Sequence, residues 1–94
     1  MLRFAWDERK NDINRKKHGI WFEEAQSVFD DPGLRFFADS DHSSNEHRFL
    51  AMGFSAQARL LVVIHCYREK DELVRIISAR RATRKEERFY EKGI

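Results

Sequence analysis

The sequence predicts one α+β domain in which a small antiparallel sheet packs with helices, in the order β-α-α-β-β-β-β-α. Ninety-four residues leave room for a single hydrophobic core. Hydrophobic residues make up 41% of the chain and charged residues 36%, so we expect a thin core under a heavily charged surface. Short alternating or apolar runs between polar turns indicate strands, and capped segments with helical spacing indicate helices.

The N-terminal part reads as a short strand followed by a basic helix. Residues 2–6 alternate between apolar and other side chains, as a half-buried strand does. Asp7 is a suitable N-cap for a helix over residues 8–18, and Gly19 is a suitable stop. Ile13 is the only aliphatic residue of this helix, so we expect it to contact the core.

A second short helix is predicted over residues 22–29, where apolar residues recur at helical spacing. Pro32 prevents the helix from continuing. Residues 34–37 then predict a strand, and the polar residues 38–46 predict a loop.

Three strands and a helix complete the chain. Residues 48–54 alternate, and residues 60–67 are apolar throughout, which favours a central strand. Residues 73–79 should pair back against them, because strands joined by short turns are antiparallel. The last helix is predicted over residues 84–92, with Gly93 as its stop, and we expect the helices to cover one face of the sheet.

Charge is unevenly distributed along a chain whose net charge is only +2. Residues 1–18, 19–47 and 48–94 have net charges of +3, −6 and +5. Such polarity suits an anionic ligand on one part and a basic partner on another, although solvated faces can differ by chance. The single cysteine, Cys66, fits a reducing cytoplasm, and no segment resembles a signal peptide or a membrane span.

The strongest functional signal is Arg80-Arg81, where a buried strand meets a helix. Thr83 and Glu86 have the spacing of a capping box, so the helix should begin just after Thr83. Guanidinium groups match phosphate oxygens, which favours an RNA or DNA ligand. Consecutive strand residues point to opposite faces, so either the strand ends by Arg81 or one arginine is structural.

More cations follow on the helix: Arg84, Lys85 and Arg88. Arg84 and Arg88 are i, i+4 neighbours and can form a cationic stripe that binds nucleic acid phosphates. The alternative is that the arginines of this region pair with the glutamates of the same helix, which are Glu86, Glu87 and Glu91.

His65 and Tyr90 are the candidates for proton transfer and base contacts. His65 lies within the apolar strand, where an imidazole is either a general acid or base or a hydrogen-bonded core residue. Tyr90 is on the last helix, where a phenol can stack on a base, donate to phosphate or pack in the core. The sequence contains no recognised metal-ligand pattern and no phosphate-binding glycine loop, so we expect neither metal nor cofactor.

Three stretches of the chain resemble the BrnT family of type II toxin-antitoxin systems. The first consists of residues 4–10, 14 and 17–20, and the second of residues 22–25 and 28–32. The third consists of residues 61–63, 75–83, 86–88 and 90. The run from Ile77 to Ala82 is the most specific of them. Trp21 is a departure, because the family often has a serine there that would cap the second helix.

The resemblance implies that residues 1–94 form one BrnT-like toxin domain with a RelE-like ribonuclease fold. It also implies RNA cleavage that inhibits translation and growth, and neutralisation by a BrnA-type antitoxin that contacts promoter DNA for the complex. Arginines can stabilise phosphoryl charge without a metal, so we expect a metal-independent endoribonuclease. Its catalytic residues would be Arg80, Arg81, His65 and Tyr90, with Arg84, Lys85 and Arg88 binding RNA. The alternative functions are a non-catalytic nucleic-acid-binding module and a protein-interaction module.

Overall fold

The computed structural model describes residues 2–38 and 47–92, and its elements follow the predicted order β-α-α-β-β-β-β-α. Apart from Ala38, which ends a strand, the predicted loop over residues 38–46 lies outside the described residues, as does the helix stop at Gly93. The strands are β1 (Arg3–Ala5), β2 (Arg35–Ala38), β3 (Phe49–Phe54), β4 (Leu60–Arg68) and β5 (Leu73–Arg81). The helices are α1 (Glu8–His18), α2 (Phe22–Ser27) and α3 (Arg84–Lys92), and a 3-10 turn (Val28–Asp30) follows α2.

The five strands form one sheet in the order β1-β5-β4-β3-β2, with β4 in the centre as its apolar run predicted. The pairs β2–β3, β3–β4 and β4–β5 are antiparallel. β1 instead pairs in parallel with β5, with Arg3 opposite Leu73. The short-turn argument applies only to consecutive strands, and β1 and β5 are separated by most of the chain. The α+β prediction is confirmed, and the sheet is mixed because of this one pair.

The helices lie on both faces of the sheet, not on one face as the sequence led us to expect. The main core lies beneath α1 and α2. A smaller cluster of Met52, Leu60 and Val62 lies on the opposite face, where Tyr90 of α3 packs against it. Ala82, in the link between β5 and α3, packs against the same cluster. The link therefore turns the chain onto the second face.

Two asparagines, not an apolar stripe, hold α1 against the fold. The Asn11 side-chain oxygen accepts the backbone N–H of Phe22 at 2.7 Å. Asn14 donates to the backbone oxygen of Ala79 at 2.8 Å and accepts its N–H at 3.1 Å. The expectation that Ile13 contacts the core is wrong, since this residue is 55% exposed. The buried side of α1 is polar because it satisfies backbone groups of α2 and β5.

The helix limits follow the predicted caps. The Asp7 carboxylate accepts the backbone N–H of Arg9 at 2.8 Å, and Gly19 ends α1 with a left-handed φ of 74°. Thr83 and Glu86 form the reciprocal capping box, with bonds of 3.2 and 2.8 Å. None of the helices within residues 2–38 and 47–92 has the length and apolar composition needed to cross a bilayer.

Candidate active site

Arg80 and Arg81 lie on opposite faces of the sheet. β5 continues through Arg81, so the two side chains alternate. Arg80 pairs in register with Val62, which belongs to the cluster on the α3 side. Arg81 pairs with Leu61 of the main core and acts electrostatically on Glu24 of α2. Arg80 is therefore on the α3 side, and Arg81 is on the α2 side.

An open groove lies between α3 and the sheet, and we call it the α3 groove. Its volume is about 480 Å³. Most of its lining is apolar: Phe37, Leu50, Met52, Val62 and Phe89, with Thr83, Lys85 and Glu86. One register row of the sheet crosses this face in the order Arg35, Met52, Val62, Arg80. An arginine therefore stands at each end of an apolar floor.

The Arg80 guanidinium is held by a bidentate ion pair with Glu86. Its two terminal nitrogens donate to the two carboxylate oxygens at 2.8 and 2.9 Å. The hydrogen bonds from Arg80, the largest cause, and from Thr83 lower the pKa of Glu86 to about 2. The same pair raises the pKa of Arg80. Glu86 thus occupies the planar edge of Arg80 that a phosphate would use.

Tyr90 lies on the same face and is bonded to Asp31. Its hydroxyl donates to the Asp31 carboxylate at 2.6 Å, and this bond is the main reason that the pKa of Tyr90 is raised to about 12. Burial alone would raise the pKa of Asp31, but hydrogen bonds from Tyr90, Phe54 and Gly33 lower it. The guanidinium carbon of Arg35 lies 5.9 Å from the centre of the Tyr90 ring. The phenol is therefore protonated at neutral pH and close to a cation.

The three other predicted cations are exposed on α3 but lie in two places. Lys85 lines the α3 groove. Arg84 and Arg88 line a separate shallow cleft together with Glu87 and Glu91. Of these three cations, only Lys85 therefore lines the α3 groove.

His65 is on the opposite face of the sheet, with no exposed surface. Its nitrogens lie 3.2 Å from the Val63 carbonyl oxygen and 3.3 Å from the Tyr67 hydroxyl. Four aromatic rings have centres within 6.1 Å of the imidazole: Phe29, Phe36, Phe49 and Tyr67. Burial lowers the pKa of His65 and favours the neutral ring. The structure does not bring His65 together with Arg80 and Tyr90.

Sequence reasoning missed Arg35 and Asp31. The alternation of Arg35 with Phe37 along β2 was a usable signal, because it puts both on the face of the α3 groove. Asp31 gave no local signal, since its partner Tyr90 is 59 residues away. Within the described ranges, no three His, Cys, Asp or Glu residues are grouped closely enough to hold a metal ion.

The mixed sheet and the α3 groove define a small α+β protein whose arginines suit an anionic ligand. The chain belongs to the BrnT family, the ribonuclease toxins of type II toxin-antitoxin systems, whose family model matches residues 6–86. It is similar to the crystal structure of the Brucella abortus ribonuclease toxin BrnT, with a TM-score of 0.66 and 23% sequence identity. That match covers 89% of this chain and 100% of the other. No curated protein sequence matches the chain. The predicted family and fold are confirmed.

Proposed function

We propose that this chain is a metal-independent endoribonuclease that cleaves RNA and thereby inhibits translation and growth. The observation that carries the proposal is that Arg80 and Tyr90 lie on the face of the sheet that bears the α3 groove, with Arg80 at one end of the register row and Tyr90 beside Arg35 at the other. Arg80 supplies a permanent positive charge for the phosphoryl oxygens, and Tyr90 supplies a protonated hydroxyl. Family membership gives the proposal its reaction class.

In the proposed reaction, the RNA 2′-hydroxyl gives up its proton to solvent water as its oxygen attacks the adjacent phosphorus, and the bond to the 5′-oxygen breaks. Charge builds up on the phosphoryl oxygens, and Arg80 stabilises it without a metal ion. Tyr90 keeps its proton at neutral pH, and once its hydroxyl leaves Asp31 it donates this proton to the leaving 5′-oxygen, whose alkoxide is more basic than the phenolate. Arg35, which lies beside Tyr90, adds a second positive charge at the other end of the row.

The role of His65 as general acid or base stays a prediction. Its complete burial on the opposite face supports a packing role, because RNA bound in the α3 groove could not reach it. Tyr90 therefore takes the place of the proton donor in this proposal.

We further propose that a BrnA-type antitoxin neutralises the chain by covering the surface between Arg80 and Arg88. The apolar lining of the α3 groove can receive apolar side chains, and Lys85 and the arginines of α3 can meet acidic ones. The contacts of the complex with promoter DNA would then be left to the antitoxin. A cytoplasmic location follows from this role.

The test is RNA cleavage by the purified chain in the presence of EDTA. We expect fragments with 2′,3′-cyclic phosphate ends, formed at the same rate with and without the chelator. RNA that is bound but stays intact would contradict the proposal and favour a non-catalytic binding module. The absence of both binding and cleavage would favour a protein-interaction module.

A further inference from the structure

A second cleft lies on the α1 and α2 side of the sheet, away from the α3 groove. Its volume is about 400 Å³, and its lining includes Trp21, Glu23, Glu24 and Gln57. Trp21 is 45% exposed, and the guanidinium carbon of Arg15 lies 5.6 Å from the centre of its ring. An exposed indole beside a cation is therefore the main feature of this cleft.

The Trp21 side chain lies outside the core. The flanking residues Ile20 and Phe22 fill the core, and both are completely buried. The first N–H of α2 is satisfied by the side chain of Asn11, and Trp21 makes no side-chain capping bond. An exposed indole that lines a cleft beside polar groups is a surface on which a planar ligand can stack.

The charges and hydrogen-bonding groups of the cleft suit a neutral, planar ligand. Glu24 is neutralised by Arg59, whose Nε donates to it at 2.9 Å, and hydrogen bonds from Arg59, the largest cause, and from Ser55 lower its pKa. Glu23 is exposed, and one of its oxygens accepts from Asn11 at 3.0 Å. The second Glu23 oxygen and the exposed Gln57 amide are thus placed to bond a ligand that stacks on Trp21.

We infer that this cleft binds a guanine base of the single-stranded RNA substrate, stacked on Trp21 with its Watson–Crick edge toward Glu23. Among the four bases, guanine presents two adjacent N–H donors, which match a carboxylate. Stacking on aromatic side chains is the general way in which proteins hold unpaired bases. The inference rests on the proposed ribonuclease function and adds a base preference to it.

Arg81 lies on the same face of the sheet as the cleft, and Arg80 lies on the face of the α3 groove. Arg81 is exposed at the end of β5 and acts electrostatically on Glu24. An RNA strand that passes around this end of the sheet meets Arg80 on one face and Arg81 on the other. The base in the cleft would then lie at a fixed number of nucleotides from the cleaved bond, and it would determine the cleavage position.

The binding test uses the two tryptophans as internal references. In nitrogen-15 spectra, titration with guanosine 5′-monophosphate should shift the indole N–H signal of Trp21. The Trp6 signal should move much less, because its N–H is bonded to Glu8 and is linked to Glu23 only through Asn11. Adenosine, cytidine and uridine monophosphates should bind more weakly. Glu23→Gln should weaken guanosine monophosphate binding about tenfold, because it removes the charged acceptor of the guanine N–H groups.

The functional test compares Trp21→Ala with Ile13→Ala, which removes an exposed apolar side chain of α1 that does not line the cleft. On an oligoribonucleotide with a single guanine, Trp21→Ala should raise KM about tenfold at unchanged kcat, as loss of one stacked base does. Trp21→Tyr should restore KM, and Ile13→Ala should match wild type.

Three results would overturn the inference, and they are separable from failure of the proposed function. They are a Trp21 signal that does not respond to guanosine monophosphate, equal response to all four nucleotides, and equal KM for the two alanine variants. Weaker antitoxin binding by Trp21→Ala with unchanged nucleotide binding would assign the cleft to a protein partner instead. If wild type cleaves no RNA, the proposed function fails, and the nucleotide titration still decides whether the cleft binds guanine.

Discussion

Glu86 has two roles that depend on the same carboxylate. It accepts the N–H of Thr83 and so begins α3, and it holds both terminal nitrogens of Arg80. An RNA phosphate that binds Arg80 through the same edge has to displace Glu86. The ion pair therefore keeps Arg80 oriented before RNA arrives and also competes with RNA for it.

The substitution Glu86→Gln tests this competition. Without the negative charge, Arg80 is easier for phosphate to capture, so RNA affinity should rise roughly threefold to tenfold, which corresponds to about 1 kcal/mol. The matched control is Glu87→Gln, which removes the same charge from an exposed position of α3. Fluorescence anisotropy with labelled RNA measures both. Equal affinities for the two variants would mean that Glu86 does not compete.

His65 should affect stability and its pH dependence. Below about pH 6.5, its ordinary pKa, the unfolded chain binds a proton that the buried ring resists, so the free energy of unfolding falls as pH falls. Urea midpoints at about pH 7.5 and about pH 5.5 measure this slope. His65→Gln should flatten it, whereas His47→Gln, at an exposed position, should not. A folded His65→Gln protein that loses RNA cleavage would instead support the catalytic role.

The sequence identified Arg80 and Tyr90 as candidates and Glu86 as one possible partner of the arginines, but it did not identify Asp31, the partner of Tyr90. A capping spacing predicted the bonds of Glu86 with Thr83, because they are local. The bond between Tyr90 and Asp31 depends on how α3 lies over the turn before β2, and no local pattern encodes that placement. The alternation along β5 puts Arg80 and Arg81 on opposite faces only if the strand includes Arg81. The sequence alone left the end of the strand open.

At the scale of the elements, α3 is the least firmly held of the helices, since none of its described residues is buried. Polar contacts attach it at both ends: Glu86 near its start bonds Arg80 of β5, and Tyr90 near its end bonds Asp31 and Arg35. Between them, Phe89 packs on Phe37 with ring centres 5.3 Å apart. The width of the α3 groove therefore depends on these few contacts.

Gly33→Ala should loosen the end of α3. A Cβ atom at Gly33 would overlap the Tyr90 hydroxyl, so this hydroxyl would have to shift from its position beside Asp31. The expected cost is about 1 kcal/mol, the usual net value of a lost hydrogen bond. Hydrogen exchange of the α3 amides should become faster, and urea unfolding measures the cost.

Tyr90→Phe provides the control for this change, because it removes the same hydrogen bond without a clash. The double variant should cost less than the sum of the two single variants, since both act on one contact. Additive costs would mean that Gly33→Ala disturbs the turn itself and not the attachment of α3.

Most element limits were readable from local patterns, whereas their placement was not. Capping residues in the sequence predicted the start of α3 and the end of α1 correctly. The burial of α1 was misjudged because Asn11 and Asn14 contribute hydrogen bonds to distant backbone groups, which hydrophobic periodicity does not detect. The parallel pairing of β1 with β5 depends on contacts across nearly the whole chain.

At the scale of the whole molecule, the two faces of the sheet present different chemistry. The α3 face holds the apolar groove with Arg80 and Tyr90, and the other face holds the main core under α1 and α2. A protein partner that inhibits by covering the site has to bind the first face. A partner on the basic helix α1 would have to act from a distance.

Charge reversal separates these two modes of inhibition. Arg84→Glu with Arg88→Glu should weaken the antitoxin complex at least about tenfold, because like charges at an interface raise dissociation and slow association. Arg15→Glu with Lys16→Glu changes the same charge on α1 and should leave the complex nearly unchanged. Calorimetry measures both affinities. The reverse order would mean that the antitoxin acts through α1.

The most direct test of the account is the single-turnover rate of RNA cleavage by Arg80→Ala, with EDTA present and with folding checked by circular dichroism. Loss of the guanidinium should cost about 2–4 kcal/mol of transition-state stabilisation, or roughly 30-fold to 1,000-fold in rate. Arg81→Ala, on the other face, should reduce the rate much less at saturating RNA. Wild-type rates for a folded Arg80→Ala protein would contradict the central claim that the α3 groove is where RNA is cleaved.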